Sequence, residues 1–135
     1  IAAYQVRRAQ IAIYEELEPV MSELALTPPR FSSLVLIDQN PGVLQSDLAR
    51  IIGVGRSAMV AIIDELEQHG WLQRQQHQSD ARANHLELTP AGHAHLERAV
   101  AAVMALDRRW TQQLSPAEKA QLVDLLGRLG PPQEG

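Results

Sequence analysis

Between Gln45 and Leu66 the apolar positions fall into two short sets. Leu48, Ile51 and Ile52 recur at spacings of three and four, which gives the first set one apolar face at helical period. Gly53 interrupts the pattern where a helix-ending residue with positive φ belongs. Met59, Ile62, Ile63 and Leu66 then give a second helix its own face. Ala49, four residues before Gly53, is small enough to let the second helix cross closely over the first. Two helices meeting at such a corner form a helix-turn-helix, in which the second helix is carried out to enter a DNA major groove. Any compact helical corner produces similar spacing, so the signal is moderately specific.

The flanking pattern supplies a setting for that corner. Val6, Gln10, Ile13, Leu17, Val20, Met21 and Leu24 mark a mostly apolar stripe along residues 1–25, and Arg7, Ile11, Tyr14 and Glu18 follow the same spacing on another side. A helix with two such sides needs cover on both, one from its own chain and one from a second subunit. Pro19 predicts a bent helix or two pieces. Thr27-Pro28-Pro29 caps and starts the next helix, with Phe31, Leu34, Val35 and Ile37 as its buried face, and Asn40-Pro41-Gly42 closes it in a turn. After the corner, Gly70 ends the helix and Trp71 to Arg74 reads as a short strand. Gln75 to Asn84 is polar with a turn at Ser79-Asp80, and His85 to Leu88 alternates polar and apolar as a half-buried strand does. A hairpin directly after a helix-turn-helix is a wing.

Thr89 and Pro90 begin another helix, through Leu96, Val100, Val103, Leu106 and Trp110 to about Gln113. Ser115-Pro116-Ala117-Glu118 holds a capping box, and the last helix carries Leu122, Leu125, Leu126 and Leu129 before Gly130-Pro131-Pro132. No repeat, low-complexity tract or linker divides the chain. The pattern predicts one domain over residues 1–135, mainly α with a small β-hairpin wing. A winged helix-turn-helix at 27–89 is flanked by N- and C-terminal dimerisation helices at 1–25 and 90–130.

Composition changes this picture in a few places. A 45 % hydrophobic content suffices for a core, and no apolar run approaches the ~20 residues that span a bilayer. No signal peptide is visible, so the expectation is a cytoplasmic protein without membrane contact; the start at Ile1 rather than Met leads to the expectation that the native start is missing and leaves a removed targeting segment open. Cysteine is absent, which excludes a thiol switch or cysteine metal cage in this segment. Aromatics at 4 % do not suit base stacking along single strands. The net charge of −4 counts against a nucleic-acid partner, and over residues 40–90 Arg50, Arg56, Arg74 and Arg82 face six carboxylates. Distribution matters more than the sum. Asp64, Glu65 and Glu67 lie toward the far end of the second corner helix, away from Arg56.

The candidate chemistry is recognition, not catalysis. Arg56, Ser57 and Met59 sit where the second corner helix would face the groove, and arginine can bond guanine bidentately. The competing reading makes Arg56 a solvated charge and Met59 core. Arg7 and Tyr14 are seven apart, two helical turns, so a cation and an aromatic share one side; they suit either a ligand carboxylate or a dimer contact. Asp80 and Arg82 are two apart and share a strand face, as a wing-stiffening ion pair or as a DNA-reaching arginine with its orienter. His93 and His95, two apart on a helix, point to different sides, and His69, His77 and His85 show no ligand spacing. No hydroxyl nucleophile has a placed His/Asp pair, no phosphate-cradling glycine loop exists, and no cofactor is called for. The alternatives to a DNA-binding regulator are a winged-helix dimer that binds protein as an adaptor and a metal-responsive regulator, with an enzyme a distant third.

Nearly all of the chain resembles the MarR family of transcriptional regulators. The resemblance rests on Leu26-Thr27-Pro28-Pro29, on Gln45-Ser46-Asp47-Leu48-Ala49, on Gly53-Val54-Gly55-Arg56-Ser57, and on Asp80-Ala81-Arg82-Ala83-Asn84 leading to Leu88-Thr89-Pro90-Ala91-Gly92. The Asp-x-Arg wing followed by the Leu-Thr-x-Ala-Gly helix start is its most specific part. It implies a homodimer joined through the first and last helices and a pseudo-palindromic operator on double-stranded DNA. It also implies repression relieved by a small effector, commonly an aromatic carboxylate, a phenol or an aromatic-acid thioester of coenzyme A. On it, Gln45, Ser46, Arg56, Ser57, Met59, Arg74, Asp80 and Arg82 form the DNA-contacting set, with Arg82 in the minor groove, and Arg7, Tyr14 and Phe31 the ligand-contacting set. The chain departs from the family where hydroxyl caps usually start the two corner helices: Leu44 and Gly55 stand there. Asp47 in the first turn partly replaces the first cap through the helix dipole.

Overall fold

The computed structural model describes the backbone of residues 1–77 and 80–132, and the side chains of these residues except 76, 77 and 80–83. Its elements are α1 (Ala2–Glu23), α2 (Pro28–Gln39), β1 (Val43–Leu44), α3 (Gln45–Ile52), α4 (Arg56–Gln68), β2 (Leu72–His77), β3 (Asp80–Leu88), α5 (Pro90–Trp110) and α6 (Pro116–Gly127). The helix starts follow the expected chemistry. Thr27 Oγ1 accepts from the Arg30 N–H at 3.4 Å, and Thr89 Oγ1 from the Gly92 N–H at 3.0 Å. Ser115 and Glu118 exchange both bonds of a capping box at 3.1 and 2.8 Å.

The sheet departs from a two-stranded wing. β1 joins it, giving the antiparallel order β1-β3-β2 with Val43 opposite Leu86 and Leu72 opposite Leu88. Two residues are too few for periodicity to register. What places them is Gly42, at φ 84°, whose N–H donates to the Leu86 carbonyl at 2.9 Å. β2 continues to His77, beyond the expected Arg74, and β3 begins at Asp80, so strand pairing extends into the polar stretch. Its alternation holds where expected: Leu86 and Leu88 are buried.

α1 runs as one helix through Pro19, so of the two expectations there, a bend or two separate pieces, the second does not hold. Proline removes one intrahelical bond there, and the helix continues because the flanking Leu17, Met21 and Leu24 pack into the core. That core joins Met21 and Leu26, Leu34 and Ile37 of α2, Leu48 of α3, Met59, Ile63 and Leu66 of α4, the sheet leucines, and Leu96 and Ala99 of α5. Ile51, expected on the apolar face of α3, is 56 % exposed, because Leu48 and Ile52 on the other flank of that face pack toward the core.

The start of α5 seals the domain. The Thr89 N–H donates to the Trp71 carbonyl at 3.0 Å, and a Cβ on Gly92 would lie 1.9 Å from that same oxygen. Only glycine permits so close a crossing. This accounts physically for the Leu-Thr-x-Ala-Gly segment.

Candidate nucleic-acid interface

α3 and α4 are set by Gly53, in the left-handed conformation at φ 81°. The Ala49 carbonyl accepts from both the Gly53 and Val54 N–H groups, at 2.9 and 3.1 Å, which closes the corner. α4 then anchors one face through Met59, Ile63 and Leu66, all essentially inaccessible, and turns Arg56 and Ser57 outward at its start. Leu44 and Gly55 are the N-caps of α3 and α4 and supply no side-chain capping bond. The first N–H groups of both helices therefore have no side-chain cap, a condition under which a helix end can accept an anion such as phosphate.

Two members of the expected DNA-contacting set sit elsewhere. Met59 is 1 % exposed and belongs to the core: the period that makes it part of the apolar stripe carries it away from the groove face. Arg74 lies on β2 against the acidic half of α4, ion-paired with Asp64, and its Nε lies 3.3 Å from Glu67 Oε2. Two carboxylates hold it along the acidic half of α4. Gln45 is half-buried and accepts a 3.4 Å bond from Asn84 Nδ2 of β3, which ties the start of α3 to the wing. Ser46 is exposed at that start. Asp80 and Arg82 lie on β3, but their side chains, like the turn at Ser79, fall outside the described residues.

The three ligand candidates occupy two places. Arg7 and Tyr14 line one shallow cleft of about 270 Å³ on α1 with Gln10, Ile11, Glu15 and Glu18, and Arg7 donates to Gln10 Oε1 at 3.0 Å. Phe31 lines a cleft of about 410 Å³ between α2 and α3, with Ser32, Val35, Leu36, Ile51 and Ile52. A third cleft, of about 360 Å³, lies between α2 and α5, where Asp38, His93 and Glu97 rim a floor that includes Leu96, Val100 and Met104. Sequence reasoning missed it because its walls come from segments more than fifty residues apart.

The histidines divide as their spacing requires. His93 faces Asp38 on the surface, Nδ1 to Oδ1 at 3.0 Å, while His95 is buried. His95 Nε2 lies 2.7 Å from the Leu24 carbonyl and its Nδ1 2.9 Å from Arg98 Nη2. A guanidinium can only donate, so Nδ1 accepts and Nε2–H donates to Leu24: the ring is the neutral tautomer. It stacks on Trp71 at 3.8 Å, and Trp71 stacks on His69 at 4.2 Å. Burial pushes the His95 pKa below the ordinary histidine value. Among the described residues, no group of three or more His, Asp or Glu side chains could hold a metal ion, and no helix is long and apolar enough to cross a membrane.

Comparison with known proteins bears on this geometry. The MarR family model matches residues 26–83, the winged helix-turn-helix from the end of the α1–α2 turn into the wing. A putative transcriptional regulatory protein for the hcr operon of Thauera aromatica is 35 % identical over 127 residues, covering 93 % of this chain and 76 % of that protein. The transcriptional repressor CouR bound to a 23-mer DNA duplex superposes with a TM-score of 0.88 at 34 % identity, over 95 % of this chain and 91 % of that one. The Mycobacterium tuberculosis MarR family protein Rv2887, in complex with salicylic acid, gives a TM-score of 0.76 at 31 % identity, over 96 % of both chains.

Proposed function

The chain belongs to the MarR family of DNA-binding transcriptional regulators, which are not enzymes, and from that premise we propose that it is a homodimeric repressor released by a small aromatic acid, a phenol or an aromatic acyl-CoA. One observation carries the DNA side of this reading. α4 buries Met59, Ile63 and Leu66 on one face and exposes Arg56 and Ser57 at its start, so a rigid helix presents a cation and a hydroxyl to the groove. Ser46 contacts the adjacent backbone, Gln45 steadies the wing through Asn84, and Arg82 with Asp80 reaches the flanking minor groove, whose narrow A·T-rich stretches attract arginine. Binding to specific and scrambled duplexes across a salt series tests these roles. Arg56→Ala is expected to lose about 1–3 kcal/mol of discrimination at one base position. Arg82→Ala is expected to weaken binding and flatten its salt dependence by up to about one unit of slope for each phosphate ion pair removed. Unchanged affinity and slope for Arg82→Ala at an unchanged Tm would remove the wing from the interface.

On the effector side, a carboxylate needs a cation. The Phe31 cleft has none among its lining residues, whereas the α1 cleft has Arg7 beside Tyr14. We therefore place the acid group at Arg7, with Tyr14 beside the ring, on the dimerisation side of the winged lobe. The complex of Rv2887 with salicylic acid supports an aromatic acid as ligand class. Occupancy there changes the spacing of the two recognition helices, with a coupling of roughly 1–3 kcal/mol between effector and DNA. A thermal-shift screen of aromatic acids and their coenzyme A esters tests it. Arg7→Ala should abolish the shift and Phe31→Ala should retain it; the reverse result moves the site to the α2–α3 cleft. A protein-binding adaptor remains the second reading, and weak, sequence-blind DNA affinity would favour it.

A further inference from the structure

The second half of α4 carries Asp64, Glu65 and Glu67, while its last turn holds no basic residue. This is unfavourable twice over. The C-terminal end of a helix dipole is already negative. The carboxylates also lie eight to eleven residues beyond Arg56, about 12 to 17 Å along the axis, beyond the ~8–10 Å screening length of physiological salt but well within the ~30 Å of about 0.01 M salt. Left bare, they would oppose the approach of α4 to a phosphate backbone.

They are not bare. Arg30, at the start of α2, is ion-paired with Glu65, and Arg74 of β2 is paired with Asp64 and lies against Glu67. These arginine side chains are only 26 % and 30 % exposed, and Arg74 Nε is buried without an aligned hydrogen bond. The two cations thus reach α4 from different elements, one from the helix before the corner and one from the strand after it. We propose that Arg30 and Arg74 are positioning residues for DNA binding: they neutralise the acidic half of the recognition helix and hold it between α2 and the wing, without touching DNA themselves. This rests on the DNA-binding reading above. It also eases the charge objection: Arg30 adds a cation from outside residues 40–90, and three of the six carboxylates there lie against one of these two arginines.

The probe is a duplex drawn from a random-sequence library by the unaltered dimer, with affinity measured at several salt concentrations and folding checked by circular dichroism and Tm. Arg30→Gln and Arg74→Gln are each expected to weaken binding about three- to tenfold at low salt, and less as salt screens the exposed carboxylates. Glu65→Gln should restore binding to Arg30→Gln, and Asp64→Asn with Glu67→Gln should restore it to Arg74→Gln, because removing both members of a pair removes the repulsion. In Arg56→Ala either change should raise affinity for specific and scrambled duplexes alike, without restoring discrimination at the base that Arg56 reads. Arginine variants that bind as tightly as the unaltered chain overturn the proposal, and so does a failure of the carboxylate changes to restore binding, which would mean that the arginines contact DNA directly. If the unaltered chain selects no duplex, the DNA-binding reading itself falls, and this one with it.

Discussion

The winged lobe and the terminal helices use similar fractions of apolar sequence to opposite ends. In the lobe, α2, α3, α4 and the sheet converge on leucines, isoleucines and Met59 that are 0 to 8 % exposed. In α6 no residue is buried: Leu122, Val123, Leu125 and Leu126 are 41 to 64 % exposed. α1 buries only Met21, near its end, and leaves Tyr4, Val6, Ile11 and Tyr14 in the open. Beyond the packing of Leu17, Met21 and Leu24 at the end of α1, polar contacts tie these helices to α5. Glu16 bridges to Arg109 and accepts from Trp110 Nε1 at 2.7 Å, and Lys119 pairs with Asp107. Apolar patches of this extent on a small protein mark an association surface. The lobe is finished by its own chain; the proposed homodimer would cover the exposed apolar residues of the terminal helices with a second copy.

That contrast breaks most readily in α6. Leu122→Asp with Leu126→Asp should convert a dimer into a monomer at micromolar concentration by sedimentation, with the lobe's helical circular dichroism retained. Affinity for a two-half-site duplex should fall by about two orders of magnitude, since each subunit then binds alone. A variant that still sediments as a dimer removes α6 from the interface. Within the lobe the expected cost is to folding. Met59→Ala, at 1 % exposure, should lower stability by about 2–5 kcal/mol in denaturant titration; a loss below ~1 kcal/mol would return Met59 to the groove face. Gly92→Ala forces α5 away from the Trp71 carbonyl and should cost about 1–3 kcal/mol, leaving the sedimentation of the folded fraction unchanged.

His95 joins the two regions, since α5 carries it, the Leu24 carbonyl at the end of α1 accepts a hydrogen bond from its Nε2–H, and Trp71 at the head of the wing stacks on it. Burial lowers its folded pKa below 6.5, so between the folded and unfolded values the unfolded chain binds more protons. Its contribution to stability is present in full above about pH 6.5 and declines as pH falls toward the folded pKa, by at most about 1.4 kcal/mol per pH unit for one proton. His95→Gln should flatten that part of the stability profile, and an unchanged profile would assign the acid sensitivity to other groups. The smallest effect is expected at the hinge between the regions. Ala25 sits at φ 55°, a conformation costly for any residue with a Cβ, so Ala25→Gly should raise stability by about 0.5–1 kcal/mol in the same titration.

The same division decides what could be read from the chain alone. Helices whose apolar faces repeat over three turns, and caps such as Thr27, Thr89 and the Ser115–Glu118 box, are local and legible in the residues themselves. β1 was not, because two residues make no period and its partner lies over forty residues away at Leu86. Met59 shows the limit of a face argument. Its spacing with Ile62, Ile63 and Leu66 correctly marks the buried stripe, so it could not also serve the groove. Arg74 shows the limit of charge counting, since its partners Asp64 and Glu67 meet it only once β2 folds back along α4. Arg7 and Tyr14 do share one side of α1, as two helical turns require, but Phe31 lies in another cleft, which no helical spacing could reveal.

The central claim is that two copies of α4, fixed by α1 and α6, enter successive turns of one duplex. It is tested most directly by inserting five base pairs, about half a helical turn, between the half-sites of a selected duplex and measuring affinity by fluorescence anisotropy. The account predicts that binding falls to the level of a scrambled sequence and that inserting ten base pairs weakens it less than inserting five. Equal affinity for the parent and five-base-pair duplexes would contradict it, because the two recognition helices would then not be held at a fixed spacing.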